Sequence, residues 1–368
     1  MKATVLSDTH DFELLKEEWN SLHEKSESCS VFLSWEWLFS WWKEFHNRFA
    51  LYIIVVRNHS GELVGIAPLC IKKRWNSLPF RVLTFLGSSY VSSEYLDIIS
   101  RPDCEPAVVS EIFKMIHSNA GGWDCIKFTD ALESSLCSRL YTTLSLTNKY
   151  VVEKTVAEEC SYLKLADNKD DMLSRFSGSL KSTIKRRSKK LEKKGAVVDC
   201  LDAEGMVEPC INRLFDLHQK RWNSIGIKGN FRDKAIKSFH TEVSNLLLNR
   251  ALLKLYTLTV DEKAIAVLYT FEFKGTLFYF QSGYDPDSAN FSPGTVLMWR
   301  CICDAIDRGV TQFDFLRGPE YYKSLWADSV NTTYSMLLIP SERVVVLTFF
   351  KLLSSAKKLK LAIKDMLW

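Results

Sequence analysis

Asp314, Glu320, Tyr321, Tyr322 and Lys323 gather two carboxylates, two phenols and an ammonium into one short stretch around Gly318-Pro319. Placed side by side, such groups take a proton from an attacking amine or hydroxyl and return one to a leaving group. Ahead of them, Ser292-Pro293-Gly294-Thr295 opens an apolar run that predicts a helix over Thr295–Arg308, closed by Gly309. A proline in the first helical turn beside a glycine leaves several backbone N–H groups unpaired and open to approach. With the helix dipole behind them, those donors suit a phosphate. The apolar, aromatic run Leu277–Gly283 predicts a strand before the helix, and Gln312–Leu316 predicts one after it. This order places an anion cradle beside ionisable side chains, as an enzyme with a phosphorylated cofactor requires.

Each of these residues also has a plainer reading. Ser292, Gly294 and Thr295 would hold the phosphate through backbone amides, yet Ser-Pro is also an ordinary helix start. Gln281, Ser282 and Gly283 end the strand that leads to the cradle. Asp314 sits between Phe313 and Phe315. Burial there would raise its pKa toward a useful general base, unless it pairs with Arg317 or Lys323. Glu320 is the second candidate base. Arg221 and Trp222 fall at the end of a helix expected over Met206–Asn223, where a guanidinium beside an indole stacks on a sugar or planar group, or simply joins the core. With Tyr284 and Arg317 they are the residues expected to meet the acceptor.

The 368 residues allow two ordinary domains. At 46% hydrophobic and 25% charged, with a net charge of +4, the composition is globular and argues neither for nor against nucleic acid. Ten cysteines are scattered without a CxxC pair or a zinc-type spacing, which predicts reduced thiols and no metal. The first residues lack an apolar h-region, and no apolar run reaches the length of a membrane span. A cytoplasmic protein is expected. Lys181–Lys194 carries eight basic residues against the single Glu192, with Leu173, Phe176, Leu180, Ile184 and Leu191 at helical spacing. This predicts a basic helix over 170–194, one face packed and one face attractive to phosphates, a polyanion, an anionic membrane or tRNA. Residues 341–368 read as an amphipathic helix that packs back on the protein or touches the inner membrane face peripherally.

The two halves echo one another. Hairpins are expected at Leu51–Val56/Leu63–Cys70 and at Leu253–Val260/Ala264–Phe273. Each is followed by strand, helix and strand, with Tyr95–Ile99 expected as a strand of the first half. GELVGIAPL (61–69) parallels DEKAIAVLY (261–269), and GGWDCIKFTDA (121–131) parallels RGVTQFDFLRG (308–318). A tandem repeat of one α/β unit follows: 1–165 as scaffold and acceptor surface, 166–340 as the unit with the cofactor site, and 341–368 as a tail. The first half has SRPDCEPAV where the second has Ser-Pro-Gly, so no glycine admits a ligand there.

The order hairpin, strand, Ser-Pro-Gly helix, strand resembles the GNAT acyltransferase fold. FLSWEWLFSWW (32–42), LGSSYVSSEYLD (86–97), HQKRWNSIG (218–226), GYDPDSANFSPG (283–294) and DFLRGPEYYKSLW (314–326) are similar to the cellulose-biosynthesis-linked, CelD-like branch. That branch is related to the Fem-type peptidoglycan peptidyltransferases, which also carry two GNAT-like units. The resemblance spans roughly residues 10–330. It implies an α/β fold of two tandem GNAT-like units with mixed, mostly antiparallel sheets, and transfer of an acyl group, most simply acetyl, from acyl-CoA to an amine or hydroxyl. It implies further that Ser292, Gly294 and Thr295 hold the CoA pyrophosphate, and that Gln281, Ser282 and Gly283 line the pantetheine arm and thioester. Tyr322 would protonate the thiolate, although Tyr321 is not distinguished from it, and Lys323 would assist the oxyanion or acceptor. A sugar or cell-envelope precursor is the implied acceptor. A Fem-type enzyme using aminoacyl-tRNA and a non-catalytic factor in polysaccharide synthesis are the alternatives.

Overall fold

The computed structural model describes residues 1–28, 30–74, 80–201, 204–224 and 233–352. The chain forms two compact units: unit 1 comprises Met1–Ser28, Phe45–Ala157 and Thr333–Trp368, and unit 2 comprises Cys29–Glu44 and Glu158–Thr332. The division therefore differs from a cut near residue 165. The Trp-rich segment belongs to unit 2 because Trp37, fully buried, packs edge-on against Phe239, Phe271 and Phe280 at centroid distances of 5.0, 5.5 and 5.5 Å. Such aromatic contacts add to the burial of the rings themselves.

Unit 1 opens with β1 (Lys2–Leu6), α1 (Thr9–Leu14) and α2 (Lys16–Lys25), and the chain then enters unit 2 for α3 (Trp35–Phe45). Unit 1 resumes with the hairpin β2 (Phe49–Arg57) and β3 (Leu63–Lys72), β4 (Val82–Phe85) and β5 (Ile99–Ser100). It continues through α4 (Glu105–Ser118), β6 (Cys125–Leu132) and α5 (Leu136–Ser145). The hairpin turns where the Asn58 carboxamide oxygen accepts from the Ser60 and Glu62 N–H groups, each at 3.0 Å. Strand order is β1-β2-β3-β4-β6, with β5 beside β3. The β4/β6 pair is parallel and its neighbours are antiparallel.

Of the strand expected over Tyr95–Ile99 only Ile99 is in one, at the start of β5; the residues before it form a turning loop, with Tyr90, Ser92 and Tyr95 at positive φ. Asp97 fixes its end by accepting from the N–H groups of Ile98, Leu136 and Cys137, the latter two at the start of α5.

β7 (Tyr150–Lys164) carries the chain into unit 2, which continues with α6 (Lys169–Arg175), α7 (Gly178–Glu192), β8 (Val197–Cys200), α8 (Val207–Ser224) and α9 (Lys234–Asn249). The hairpin β9 (Leu253–Val260) and β10 (Lys263–Phe273), then β11 (Thr276–Tyr284), α10 (Pro293–Asp307), β12 (Gln312–Arg317) and α11 (Tyr321–Ser324) follow. β13 (Ser329–Pro340) returns to unit 1, where it pairs antiparallel with β6. In unit 2 the order is β7-β12-β11-β10-β9-β8, with only β11/β12 parallel among the described strands. Both units thus contain hairpin, strand, helix and a parallel partner strand, as the internal repeat predicts.

The basic helix expected over 170–194 is two helices. Ser177 accepts from the Leu180 N–H at 3.3 Å and caps α7, so the chain breaks after Phe176. Of the tail helix expected over 341–368, residues 344–352 are helical, and 353–368 lie outside the described residues. So do residues 225–232, which include the end of the HQKRWNSIG motif. No helix among the described residues is long and apolar enough to cross a membrane.

Packing is close where α4 crosses β3 at Gly65. A Cβ there would fall 2.3 Å from Val108 Cγ1, well inside contact distance. Gly65→Ala is therefore expected to destabilise unit 1 by about 1–3 kcal/mol, read as a lowered thermal midpoint. An unchanged midpoint would show that α4 moves aside freely.

Candidate active site

The site begins where two parallel strands part. β11 and β12 pair over Thr276↔Gln312, Leu277↔Phe313 and Phe278↔Asp314, and no further. On its other edge, β11 bulges against β10: Tyr269 pairs with Gln281 and Thr270 with Tyr279, leaving Phe280 as the extra residue. The bulge resets the alternation of side chains. Phe280 joins the aromatic cluster around Trp37, while Tyr279, Ser282 and Tyr284 all line one cavity.

That cavity holds about 320 Å³. Its apolar side is Leu180 of α7, Leu268 of β10, Met298 of α10 and Trp326; its polar side is Arg221, Tyr279, Ser282, Tyr284 and Tyr322. Ser292, Pro293, Gly294 and Thr295 bring the N-terminus of α10 to its wall. Ser292 makes no side-chain cap, and the first helical bond is Val296 N–H to the Ser292 carbonyl. The N–H groups of Gly294 and Thr295 precede that bond and remain available to a ligand. A Cβ at Gly294 would meet nothing nearer than Tyr284 Cδ1 at 4.0 Å, so glycine here keeps the cradle open.

The loop before α10 is held by a buried carboxylate. Asp285, 1% exposed, accepts from Lys220 at 2.5 Å, Lys263 at 2.8 Å and the Asp287 N–H at 3.2 Å. Burial alone would raise its carboxyl, but these bonds outweigh that and bring its pKa down to about 2. Ser292, at φ 50°, ψ 53°, then turns the chain into the helix. Arg221 lies over the Tyr284 ring at 5.1 Å. Arg187 of α7 donates to the Asn290 carbonyl, and Lys190 and Lys194 stand over the Phe291 ring at 4.5 and 5.5 Å. The basic helix thus flanks the cradle.

The structure gathers seven of the expected residues at the cavity: Arg221, Ser282, Tyr284, Ser292, Gly294, Thr295 and Tyr322. It also separates the two phenols, since Tyr321 is 77% exposed. Asp314 is elsewhere. Phe313 and Phe315 pack on the α10 side with Tyr279, so alternation turns Asp314 to the opposite face. There its Oδ1 accepts from the Leu316 N–H at 2.8 Å. Lys323, 4% exposed, donates to the carbonyls of Leu316 (3.2 Å) and Arg317 and pairs with Glu320 at 3.0 Å. These two residues close the backbone of β12, and neither lines the cavity. Glu320, 52% exposed, folds over Gly318, whose φ is +123°. Arg317 is half-buried beyond the bulge of β12.

Gln281 accepts from the Ser282 N–H at 2.9 Å, and Gly283 faces α8: a Cβ would stand 2.8 Å from the His218 N and 3.0 Å from the Leu214 carbonyl oxygen. Its glycine serves helix packing. The Trp222 side chain lies outside the described residues.

Tyr279, Asp285 and Met298 are not singled out by sequence. The bulge hides Tyr279, because it breaks the alternation that would place it with Ser282. Asp285 has a signal, a carboxylate beside Pro286 in a loop, but its lysines come from distant elements. Among the described residues, no group of His, Cys, Asp and Glu could hold a metal ion.

Unit 1 builds the corresponding helix end differently. α4 starts with Glu105-Pro106, and Glu105 binds Arg139 at 2.8 Å while the preceding Asp103 binds Arg101 at 2.7 Å. An acidic residue in the first turn of α4 and another just before it disfavour an anion there, whereas the first turn of α10 has no acidic residue.

Two outcomes test the roles assigned here. Asp285→Asn should lower the thermal midpoint by roughly 3–6 °C, the loss of about 1–2 kcal/mol. Because the folded pKa of Asp285 lies below its ordinary 3.8, its stabilisation is present above that value and fades as pH falls toward about 2. The gap between wild type and variant should close over that window, and a gap constant with pH would refute the ion-pair anchor. Asp314→Ala should cost about 1–3 kcal/mol, because the Leu316 N–H loses its partner. Full stability in chemical denaturation would rule out that backbone role.

Residues 178–324 match the family model described as an acetyltransferase (GNAT) domain, a span that runs from α7 to α11. No curated protein sequence matches the chain. Among solved structures, FemX is similar with a TM-score of 0.65 and 12% identity over 94% of this chain and 99% of that one. A conserved protein of unknown function from Bacteroides thetaiotaomicron VPI-5482 gives 0.60 and 10% over 91% and 100%. The C-terminal domain of a putative lysylphosphatidylglycerol synthetase from Agrobacterium fabrum gives 0.55 and 8% over 93% and 95%. At these identities the likeness is one of fold: the chain has the α/β fold of GNAT-domain acyltransferases.

Proposed function

We propose that unit 2 is an acyltransferase that takes an acyl group from a CoA thioester in this cavity and passes it directly to an amine or hydroxyl. The observation that carries this reading is the uncapped N-terminus of α10, with Gly294 opening it to the cavity. A diphosphate there accepts from the Gly294 and Thr295 N–H groups and gains from the helix dipole. Arg221 adds positive charge to the same wall. Leu268, Met298 and Trp326 offer an apolar side to a pantetheine arm or acyl chain, and Tyr322 brings a phenol to the same wall. Glu320, exposed at the start of α11, is the base this reading assigns for the acceptor proton, and Asp314 has no part in it. The motifs shared with the cellulose-linked branch direct the search for an acceptor to sugars and cell-envelope precursors.

A second reading takes aminoacyl-tRNA as the donor. It is favoured by the exposed cations of α7 (Lys185, Arg186, Lys189 and Lys190), with Lys193 and Lys194 just beyond, and by the fold shared with FemX. It requires binding of tRNA whose affinity falls steeply with salt. In calorimetry, acetyl-CoA is expected to bind the wild-type chain, and Gly294→Val to weaken that binding at least tenfold, about 1.4 kcal/mol. The open space at Gly294 leaves the fold of that variant intact. No heat of binding at millimolar acetyl-CoA would end the CoA reading, and unchanged affinity in Gly294→Val would refute the cradle.

A further inference from the structure

The outward face of α7 carries charge that the fold does not use. Leu180, Ile184 and Leu191 turn one side of the helix into the core. At about 100° per residue, Lys185, Arg186, Lys189 and the C-cap residue Lys193 all fall within about 60° of the opposite direction. Their side chains are exposed, and among the described residues none has a hydrogen bond or ion pair. The other cations of the segment are engaged. Lys181 donates to the Ser174 carbonyl, Arg187 reaches Asn290, and Lys190 and Lys194 lie over Phe291. Glu192, the one acid of the helix, pairs with Arg300 at 2.6 Å. What remains is a row of cations roughly 12 Å long that attracts anions.

A second feature lies against the start of the same helix. Tyr321 and Leu325, one turn apart and so on one face of α11, are 77% and 40% exposed. Trp326 packs edge-on against Phe176, just before α7, at 5.2 Å, and Leu325 lines the cavity together with Leu180. Glu320, the carboxylate beside Tyr321, is paired with Lys323. An exposed phenol and leucine near free cations are the groups that enter a lipid interface. The ring sits at headgroup level, the leucine below it, and the cations meet the lipid phosphates. A nucleic acid would meet the cations and leave the leucine in water. A free phosphate would use one or two cations and neither apolar side chain.

We infer that unit 2 docks on an anionic lipid bilayer through the outward face of α7 together with Tyr321 and Leu325. Electrostatic attraction draws the helix to the surface, and the two apolar side chains set the depth. Because Leu325 also lines the cavity, the rim of the cavity meets the headgroup layer. This surface is separate in sequence from residues 341–368, and it stands whichever donor unit 2 uses.

Sedimentation of the full chain with lipid vesicles tests this. The wild type is expected to pellet with vesicles of phosphatidylglycerol and phosphatidylcholine, to stay in solution with phosphatidylcholine alone, and to be released as salt rises toward about 1 M. The double variant Lys185→Glu, Lys189→Glu should weaken binding by about tenfold or more, and Tyr321→Ser by roughly threefold. All three positions are exposed, so an unchanged thermal midpoint confirms that the variants fold. Binding that survives the charge variant belongs to another part of the chain and overturns the α7 surface. Binding that Tyr321→Ser leaves unchanged overturns the apolar contact and with it the inferred pose. Release by millimolar glycerol phosphate would make the cations a free-phosphate site and overturn the bilayer. Failure to pellet with the mixed vesicles overturns it too, and binding of tRNA in that case gives the face to nucleic acid. None of these outcomes alters the calorimetric test of CoA, which stands or falls by itself.

Discussion

The backbone of Leu316 is the constraint on which the site depends. Its φ of +57° takes it out of the strand, and both of its polar groups are held by side chains: the N–H by Asp314 and the carbonyl by Lys323. Buried backbone groups need partners, and in a continuing parallel ladder β11 would supply them. Because side chains supply them instead, β12 can leave β11 after three pairs without unsatisfied groups. Past this divergence the cavity is lined by Tyr279, Ser282 and Tyr284 of β11 and by Tyr322 and Trp326, which follow β12. An ammonium and a carboxylate within an apolar strand end thus follow from the backbone they complete, and their burial is tolerable because each is hydrogen-bonded where it sits.

A second set of bonds keeps the helix end facing that gap. Ser292 in the left-handed region costs on the order of 1 kcal/mol for a side chain other than glycine, and it makes no compensating cap. The offset comes from the Asp285 ion pairs, which tie the preceding turn to α8 and β10, and from Arg187 reaching Asn290. Strain at the cradle and anchorage behind it belong together: an ordinary cap at Ser292 would consume one of the N–H donors that a ligand needs. Unit 1 differs, with Glu105 in the first turn of α4 and Asp103 just before it, each paired with an arginine. The same succession of strand, helix and strand thus has helix starts of different charge in the two units.

Elements with a single dominant pattern are legible in the sequence. The hairpins, α3, α8 and α10 can be read nearly to their ends from apolar periodicity and from Gly or Pro punctuation. β7 cannot, because Val151, Val152 and Val156 are exposed while Cys160 and Leu163 are buried, so it lacks a two-residue period. α7 reads as part of a longer helix since the Ser177 cap is a single residue inside a continuous pattern. At the cavity the helix start is legible: Ser292, Gly294 and Thr295 line it, and proline and glycine announce its unpaired donors in the sequence. Asp314, Lys323 and Gly283 mislead for one reason. An ionisable residue or glycine near a cradle has the same sequence whether it faces the ligand or closes the fold, and only a bulge or a left-handed turn decides which.

The distribution of charge along the cavity narrows what it can hold. The N-terminus of α10 and, outside, the cations of α7 favour anions at the cradle, while the Arg221 charge also reaches Tyr279 and Tyr322. Tyr279, Ser282 and Tyr322 line the same cavity, and burial holds both phenols above the ordinary phenol range. Leu180, Leu268 and Met298 add apolar wall to the same cavity. A ligand charged along its whole length would leave part of its charge desolvated against these apolar groups, a penalty of several kcal/mol. An entirely apolar ligand would leave the Gly294 and Thr295 donors unmet. The lining suits a molecule that combines an anionic group with apolar and mildly polar parts. Glu320 lies beside the tyrosines rather than the cradle, so this exposed carboxylate stands where a proton acceptor is useful and an anion is not repelled.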